Sequence, residues 1–361
     1  MAMAGFLNNI LGSIAKPQTV TTAQAVGVDI GATSIKVVEL ESKNNAVTLT
    51  TYGELQLGPY LNQPLGQQVS LDAKKEQTAL IDIFRESSVK ADSGVFAVPL
   101  SSSFVTVMKL PVIKEEADIA ARVPVEARKY IPVPINEVTL DWAVIGTNEA
   151  GTEQDVLLAA IQNDVLNRLQ TLMKSTNMNN QPTEIECFSI LRSVEQADDT
   201  RAAIIDLGGG SLKFYVSNGG MLESIHRIRV GGAVATQHIA EELSCTFAEA
   251  ELHKRSVDES SDIGQQVIRS HKQTYRRALI EVRQVLEQYE KNNTKVDTVI
   301  LSGGGAAFTG MQKYVGEMLG REVEINRPFN KVSTPAFMED VVTEIGPSFA
   351  VALGAALRVF E

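Results

Sequence analysis

The sequence predicts an α/β protein of two homologous lobes, with a small α+β subdomain inserted into the first lobe. The main observation behind this is a repeat. Ala203-Ile204-Ile205-Asp206-Leu207-Gly208-Gly209-Gly210-Ser211-Leu212-Lys213-Phe214-Tyr215-Val216 reads as an apolar strand, a sharp glycine turn and a second, alternating strand. Val26-Gly27-Val28-Asp29-Ile30-Gly31-Ala32-Thr33-Ser34-Ile35-Lys36-Val37-Val38 repeats it, with Asp29, Gly31, Ser34 and Lys36 matching Asp206, Gly208, Ser211 and Lys213. The copies lie roughly 177 residues apart, about one domain length, which points to two related halves. The second observation is a change of texture between about 90 and 150, where short strands flank a proline-broken helix.

The chemistry of such a hairpin follows from its residue types. A glycine run lets backbone N–H groups converge on an anion without obstruction by Cβ. Asp206 closes the first strand and sets a carboxylate beside that cradle. Mg²⁺ held by carboxylates and waters is the usual cation between a carboxylate and a phosphate. One hairpin alone is equally an ordinary β-hairpin with a flexible turn. Two copies facing each other would grip a polyphosphate and its metal from both sides.

Composition narrows the classes. The chain has 361 residues, 44% hydrophobic and 21% charged, which is room for two ordinary domains and the texture of a soluble globular protein. A net charge of −11 argues against nucleic acid as a partner. Cys187 and Cys245 form no framework spacing and suit a reducing compartment. His226, His238, His253 and His271 show no ligand spacing, so a protein-built zinc site is not expected. No apolar run is read as reaching the roughly 20 residues that span a bilayer.

In chain order, residues 1–24 read as a flexible leader or a short amphipathic helix with Phe6, Leu7, Ile10, Leu11 and Ile14 on one face. The first hairpin and a strand over 47–55 follow, separated by Lys43-Asn44-Asn45. A helix over 72–86 should face the core with Leu80, Ile81 and Phe84. Strands over 95–99 and 104–110, a helix over 114–130 interrupted at Pro124, and a strand carrying Val138, Leu140, Trp142 and Val144 make up the insert, placed at 91–150. The insert is either extra core or, given strand edges and the corner Ile131-Pro132-Val133-Pro134, a peptide-docking unit.

Residues 155–161 then resume the main fold as a buried strand, with a helix over 164–174. Glu186 follows a short strand at the start of a helix, where α/β folds place reactive side chains, although it could equally be a surface acid at a helix N-terminus. The first lobe is thus expected to comprise 25–90, 151–200 and 341–361, and the second 201–340 with a helical part over 233–295. Thr246-Phe247-Ala248-Glu249 is a capping box opening a helix that carries Glu251 and Lys254, by default a surface salt bridge. A long amphipathic helix over 265–289 has Arg276, Arg277 and Arg283 on a solvated face. Thr298–Ser302 runs into Gly303-Gly304-Gly305, which is neither a Walker A nor a Rossmann fingerprint, and a small-residue helix over 346–358 ends the chain.

Taken together, Asp29-Ile30-Gly31, Asp206-Leu207-Gly208-Gly209-Gly210, Ser302-Gly303-Gly304-Gly305 and the terminal helix resemble the actin/Hsp70/FtsA superfamily. Met108-Lys109-Leu110-Pro111, Glu126-Ala127-Arg128-Lys129-Tyr130-Ile131-Pro132 and Glu137-Val138-Thr139-Leu140-Asp141-Trp142 narrow this: from about residue 25 onward the chain resembles the PilM family of type IV pilus assembly. The resemblance implies an actin-like ATPase fold of two ribonuclease-H-like lobes closing over ATP and Mg²⁺, with at most weak ATPase activity. It implies that Asp29 and Asp206 hold Mg²⁺ through water, and that Gly31, Ala32, Thr33 and Ser34 cradle phosphates with Gly208, Gly209, Gly210 and Ser211. Lys36 becomes a phosphate contact, Glu251 and Lys254 meet ribose and adenine, and Gly303, Gly304 and Gly305 form the adenosine loop. Glu186, with Asp206, takes the catalytic position that orients water. Relatives often follow that acid with proline, whereas Cys187 stands here, and relatives usually reach the first strand sooner.

The resemblance also implies a partner: the short cytoplasmic N-terminal tail of a PilN-like inner-membrane protein, docking near Tyr130, Ile131, Pro132 and the strand edges of 95–110. It makes the chain a cytoplasmic protein at the inner face of the membrane, in reach of other pilus inner-membrane or motor proteins and able to self-associate. Two alternatives stand beside it. An FtsA-like membrane tether that polymerises would need a C-terminal amphipathic anchor, yet the sequence ends at Val359-Phe360-Glu361; a small-molecule kinase would need a catalytic aspartate in a substrate pocket.

Overall fold

Each half of the repeat grows into a five-stranded sheet, and the two sheets have the same order. The computed structural model describes residues 23–43, 46–113, 115–148, 150–178, 183–197, 200–292 and 295–360. Residues 1–22 of the expected leader and the Asn44-Asn45 turn lie outside them, while Ala23 and Gln24, placed in the leader, belong to the first strand. The first sheet contains β1 (Ala23–Ile30), β2 (Ser34–Lys43), β3 (Ala46–Gln56), β4 (Gly94–Val98) and β8 (Glu184–Ile185) in the order β3-β2-β1-β4-β8. The second contains β9 (Arg201–Leu207), β10 (Leu212–Asn218), β11 (Met221–Ile228), β12 (Thr298–Ser302) and β13 (Glu324–Ile325) in the order β11-β10-β9-β12-β13. In both, an antiparallel meander is followed by strands that run parallel to the first, reached by crossovers.

Helices cover the sheets. α1 (Ala73–Glu86), capped by Asp72, and α3 (Asn163–Ser175) pack on one face of the first sheet through Ala79, Leu80, Ile83, Leu169 and Leu172. Ile81 is 40% exposed and does not face the core as expected. At 100° per residue it is turned away from the face shared by Leu80 and Ile83. α4 (Glu186–Ser193) lies in the same core, which also takes Ile204, Tyr215 and Ile300 of the second sheet and so joins the lobes. In the second lobe α5 (Gly232–Leu243), α6 (Phe247–Arg255) and the 31-residue α7 (Asp262–Asn292) are followed by α8 (Met311–Leu319). Tyr275, Leu279, Val282, Met311 and Val315 bury the outer face of the second sheet.

The last helix, α9 (Glu339–Leu357), starts earlier than the small-residue run suggested. Together with its flanks, Ala336–Phe360 is long and apolar enough to cross a membrane, contrary to the reading that no such stretch exists. Here it is a core helix, with 67% of its most apolar window buried, packed on Val38, Leu40 and Leu49.

The insert differs from its expected bounds at two strands. β4 is not part of it: Val26 to Asp29 of β1 pair in parallel with Gly94 to Ala97. Conversely β7 (Glu153–Gln162) does not resume the main fold but is the middle strand of a three-stranded sheet, β5-β7-β6, with β5 (Ser103–Pro111) and β6 (Val138–Thr147). The cause is that β7 is apolar on both faces. Val156, Leu158 and Ala160 pack with Ile119, Val123 and Ala127 of α2 (Glu116–Ala127), whereas Leu157, Ala159 and Ile161 pack on the first-lobe core. A strand covered on both sides reads like one from the centre of a large sheet.

Asp141 of β6 lies in that seam at 4% exposure. Its Oδ1 accepts the Trp142 N–H at 2.8 Å, while Oδ2 is buried without a partner among the described residues. Burial pushes its pKa up to about 7, against the Trp142 N–H and the Arg358 guanidinium, which act to lower it. A carboxyl raised in the folded state stabilises that state below its unfolded pKa and loses the contribution as pH rises through the folded value. Stability should therefore decline between about pH 4 and 7, and Asp141→Asn should flatten that slope and gain about 1–3 kcal/mol at pH 8, read by urea unfolding.

Candidate functional site

The two glycine bends are built alike and face each other. Gly31 N–H donates to Ser34 O at 2.9 Å, and Gly208 N–H donates to Ser211 O at 3.0 Å. Antiparallel register sets Asp29 opposite Lys36 and Asp206 opposite Lys213. A Cβ added to Gly209 would come within 2.5 Å of Thr33 Oγ1, and one on Gly210 within 2.8 Å of Ala32 Cβ. The bends thus meet across a cleft of about 740 Å³. That cleft is lined by Asp29, Gly31, Ala32, Thr33, Ser34, Lys36, Glu186, Asp206, Gly208, Gly209, Gly210, Ser211, Glu251, Lys254, Gly303, Gly304 and Gly305. The structure therefore gathers the predicted site residues around one space.

Charges crowd its floor. Burial raises the pKa of Asp29 to about 6, with Glu186 and Asp206 adding to the shift and Lys36 and Lys213 opposing it. Burial works against the charge of Lys213, yet the carboxylates of Asp206, Glu186 and Asp29 outweigh it and its pKa is raised. Lys213 Nζ donates to Glu186 Oε2 at 2.6 Å and to Asp206 Oδ2 at 3.0 Å. Glu186 Oε1 accepts the Leu100 N–H at 2.7 Å. At 6% exposure Glu186 is not the surface acid that remained open from the sequence. Lys36 Nζ donates to Ser34 Oγ at 3.0 Å and lies 3.4 Å from Glu54 Oε1. Cys187, beside Glu186, is a buried thiol whose pKa burial pushes up, so it is inert.

At the other end of the cleft the expected surface pair is buried. Glu251 is 4% exposed, with Oε2 2.6 Å from Lys254 Nζ and 2.6 Å from Thr236 Oγ1, and with Oε1 accepting from Arg255 Nε at 2.8 Å. The capping box that starts α6 forms as expected and aims this turn inward. Gly66 of the first lobe, at φ +76°, lies against the Glu251 carboxylate so closely that a Cβ would meet it at 2.5 Å. Gly303 has φ +81°, and its Cα sits where any Cβ would overlap Asp206 Oδ1, so only glycine serves there.

Among the lining residues that escaped the sequence reading are His271, Tyr275 and Phe308. The His271 ring stacks on Phe308 with centroids 3.5 Å apart and planes 12° from parallel. Burial, then Lys254 and Lys272, lower the His271 pKa to about 3, so the ring is neutral. His271 Nδ1 and the Tyr275 hydroxyl are buried without partners among the described residues, and both residues line the cleft with Gly303–Gly305. Their spacing of four was the available signal, but on an amphipathic helix it looks the same as core packing.

Comparison with known proteins now bears on this geometry. The family model for the type IV pilus assembly protein PilM matches residues 27–360. The chain belongs to the PilM family. A chain of a solved PilM–PilN type IV pilus biogenesis complex matches with a TM-score of 0.80 and 23% identity, over 95% of this chain and all of that one (100%). The ethanolamine utilization protein EutJ of Carboxydothermus hydrogenoformans matches with a TM-score of 0.55 and 15% identity, over 98% of this chain and 96% of its own. MreB5 of Spiroplasma citri bound to AMPPNP matches with a TM-score of 0.51 and 14% identity, over 96% and 97%. The fold is thus the actin-like ATPase fold.

Proposed function

We propose that the chain is a cytoplasmic, ATP-binding scaffold of type IV pilus assembly that docks the N-terminal cytoplasmic tail of a PilN-like inner-membrane protein and so sits at the inner face of the membrane. The observation that carries the nucleotide part is the apposition of the two bends, Gly209 against Thr33 and Gly210 against Ala32, around a cleft lined by acids. Backbone N–H groups of Gly31–Ser34 and Gly208–Ser211 would hold phosphate oxygens. The Gly303–Gly305 loop, with Glu251 and Lys254, would take the nucleoside. Support also comes from MreB5, which has this fold and holds AMPPNP.

Magnesium fits one bend better than the other. Asp29 is a half-buried, cleft-lining carboxylate, and it suits an ion that takes one or two carboxylates. Asp206 already has the Lys213 ammonium. When bound, the ion would neutralise phosphate oxygens.

A PilN-like partner is supported by the solved PilM–PilN complex of the related protein, and its tail is proposed to dock on the insert because of the strand edge the insert offers. Residues 95–98 do not offer an edge, since β4 lies between β1 and β8. β5, at the border of the three-stranded sheet, does, and Tyr130 is 45% exposed nearby in sequence to the buried Ile131. An extended tail could add to such an edge. Nucleotide would fix the angle between the lobes and hence the shape of this groove. Titration of a peptide copying the PilN-like tail should give an affinity about tenfold higher with ATP and Mg²⁺ than without. Equal affinities would remove the coupling, and no binding would remove the partner.

A further inference from the structure

We propose that Lys213 is a built-in cation of the second acidic bend, tying Glu186 of the first lobe to Asp206 of the second and supplying charge neutralisation that a divalent ion would otherwise supply there. The inference rests on the nucleotide reading of the cleft. Its basis is geometric. Lys213 Nζ lies 2.6 Å from Glu186 Oε2 and 3.0 Å from Asp206 Oδ2, and the three side chains are 13%, 8% and 7% exposed. Two carboxylates so close and so buried repel unless a cation stands between them. The fold installs that cation before any ligand arrives, because Lys213 faces Asp206 in the β9–β10 register.

The first bend has the same register but a different outcome. Lys36 faces Asp29, yet its Nζ turns to Ser34 Oγ and Glu54 and forms no ion pair with Asp29 among the described residues. The internal repeat has therefore divided the work. Asp29 is left for an external ion, and Asp206 carries its own. Glu186 is the third party. With one oxygen on Lys213 and the other on the Leu100 N–H, it is a tie between lobes more than a group poised to orient water. Nucleotide should then need a divalent ion at the first bend alone, and depend on it less than if both acids waited for one.

The affinity of a fluorescent ATP analogue, measured with Mg²⁺ and with EDTA, tests this. The wild type should weaken by less than about tenfold when Mg²⁺ is removed, and Lys213→Met by at least about ten times more than the wild type. Methionine keeps the apolar stem and removes the charge. Should that variant fail to fold, Lys213→Met/Glu186→Gln, which removes one acid with the cation, carries the same expectation. A wild type that weakens more than about tenfold, or a variant with the wild-type dependence on Mg²⁺, overturns the built-in cation and leaves the nucleotide reading standing. A wild type that binds no nucleotide in either condition overturns both.

Discussion

Gly354→Ala should destabilise the protein by about 3 kcal/mol or more, a large loss for a single added methyl group. A Cβ at Gly354 would overlap the carbonyl oxygen of Ser189, and its next neighbours are the carbon and Cα of the same residue. These are backbone atoms of α4, so no rotamer change relieves the clash; α9 and α4 must move apart. The other side of α9 is equally tight, since a Cβ on Gly27 of β1 would overlap Ala352 O. The helix is a wedge held between β1 and α4. Separation also threatens a buried network: Arg192 Nη1 donates to Gly354 O at 3.1 Å while Arg192 holds Glu184 at 2.7 and 2.8 Å. Loosening one side of a buried ion pair costs more than the pair contributes when intact. Gly146→Ala is the control, because none of the described residues comes within 4 Å of its added Cβ, and it should stay within about 0.5 kcal/mol of wild type in urea unfolding.

Gly209→Val should lower nucleotide affinity by about 100-fold or more while leaving the fold intact. The two lobes come together at this point. A Cβ there already crowds Thr33 Oγ1 at 2.5 Å and Thr33 Cγ2 at 2.8 Å, and valine adds two methyl groups in the space between the bends. Its backbone φ is not in the left-handed region, so the substitution is not strained by conformation. The lobes can open to admit the side chain, but an open cleft separates the two sets of N–H groups that would share one polyphosphate. Fluorescent nucleotide titration reads the affinity, and a thermal melt within a few degrees of wild type shows that folding is not the cause. Unchanged affinity would place the phosphates elsewhere.

What could be read from the sequence was set by chemistry that tolerates few residue types. An acid, a glycine turn and a serine at fixed spacing appear twice, and the structure gives both the same turn hydrogen bond and the same sheet order around it. The Thr246–Glu249 capping box was legible for the same reason: each side chain has one specific backbone partner. Burial was less legible. Glu251 and Glu186 are charged residues on helices, and nothing local says that the opposite lobe meets them, as Gly66 does for Glu251 and Lys213 for Glu186. Strand membership failed where both faces are apolar, as in β7, because alternation is the signal that assigns a strand to a sheet. His271 and Tyr275 were hidden by the helix that carries them. Their apolar neighbours Ile268, Ala278 and Leu279 give the same pattern whether the polar atoms meet a ligand or none.

A crystal structure of the chain with an ATP analogue and Mg²⁺ tests the nucleotide cleft most directly. The phosphates should lie between Gly31–Ser34 and Gly208–Ser211, with the nucleoside against Glu251, Lys254 and Gly303–Gly305, the residues that line the present cleft. Density for the analogue anywhere else, or a cleft whose bends stay in contact with no nucleotide between them at saturating concentration, would contradict it.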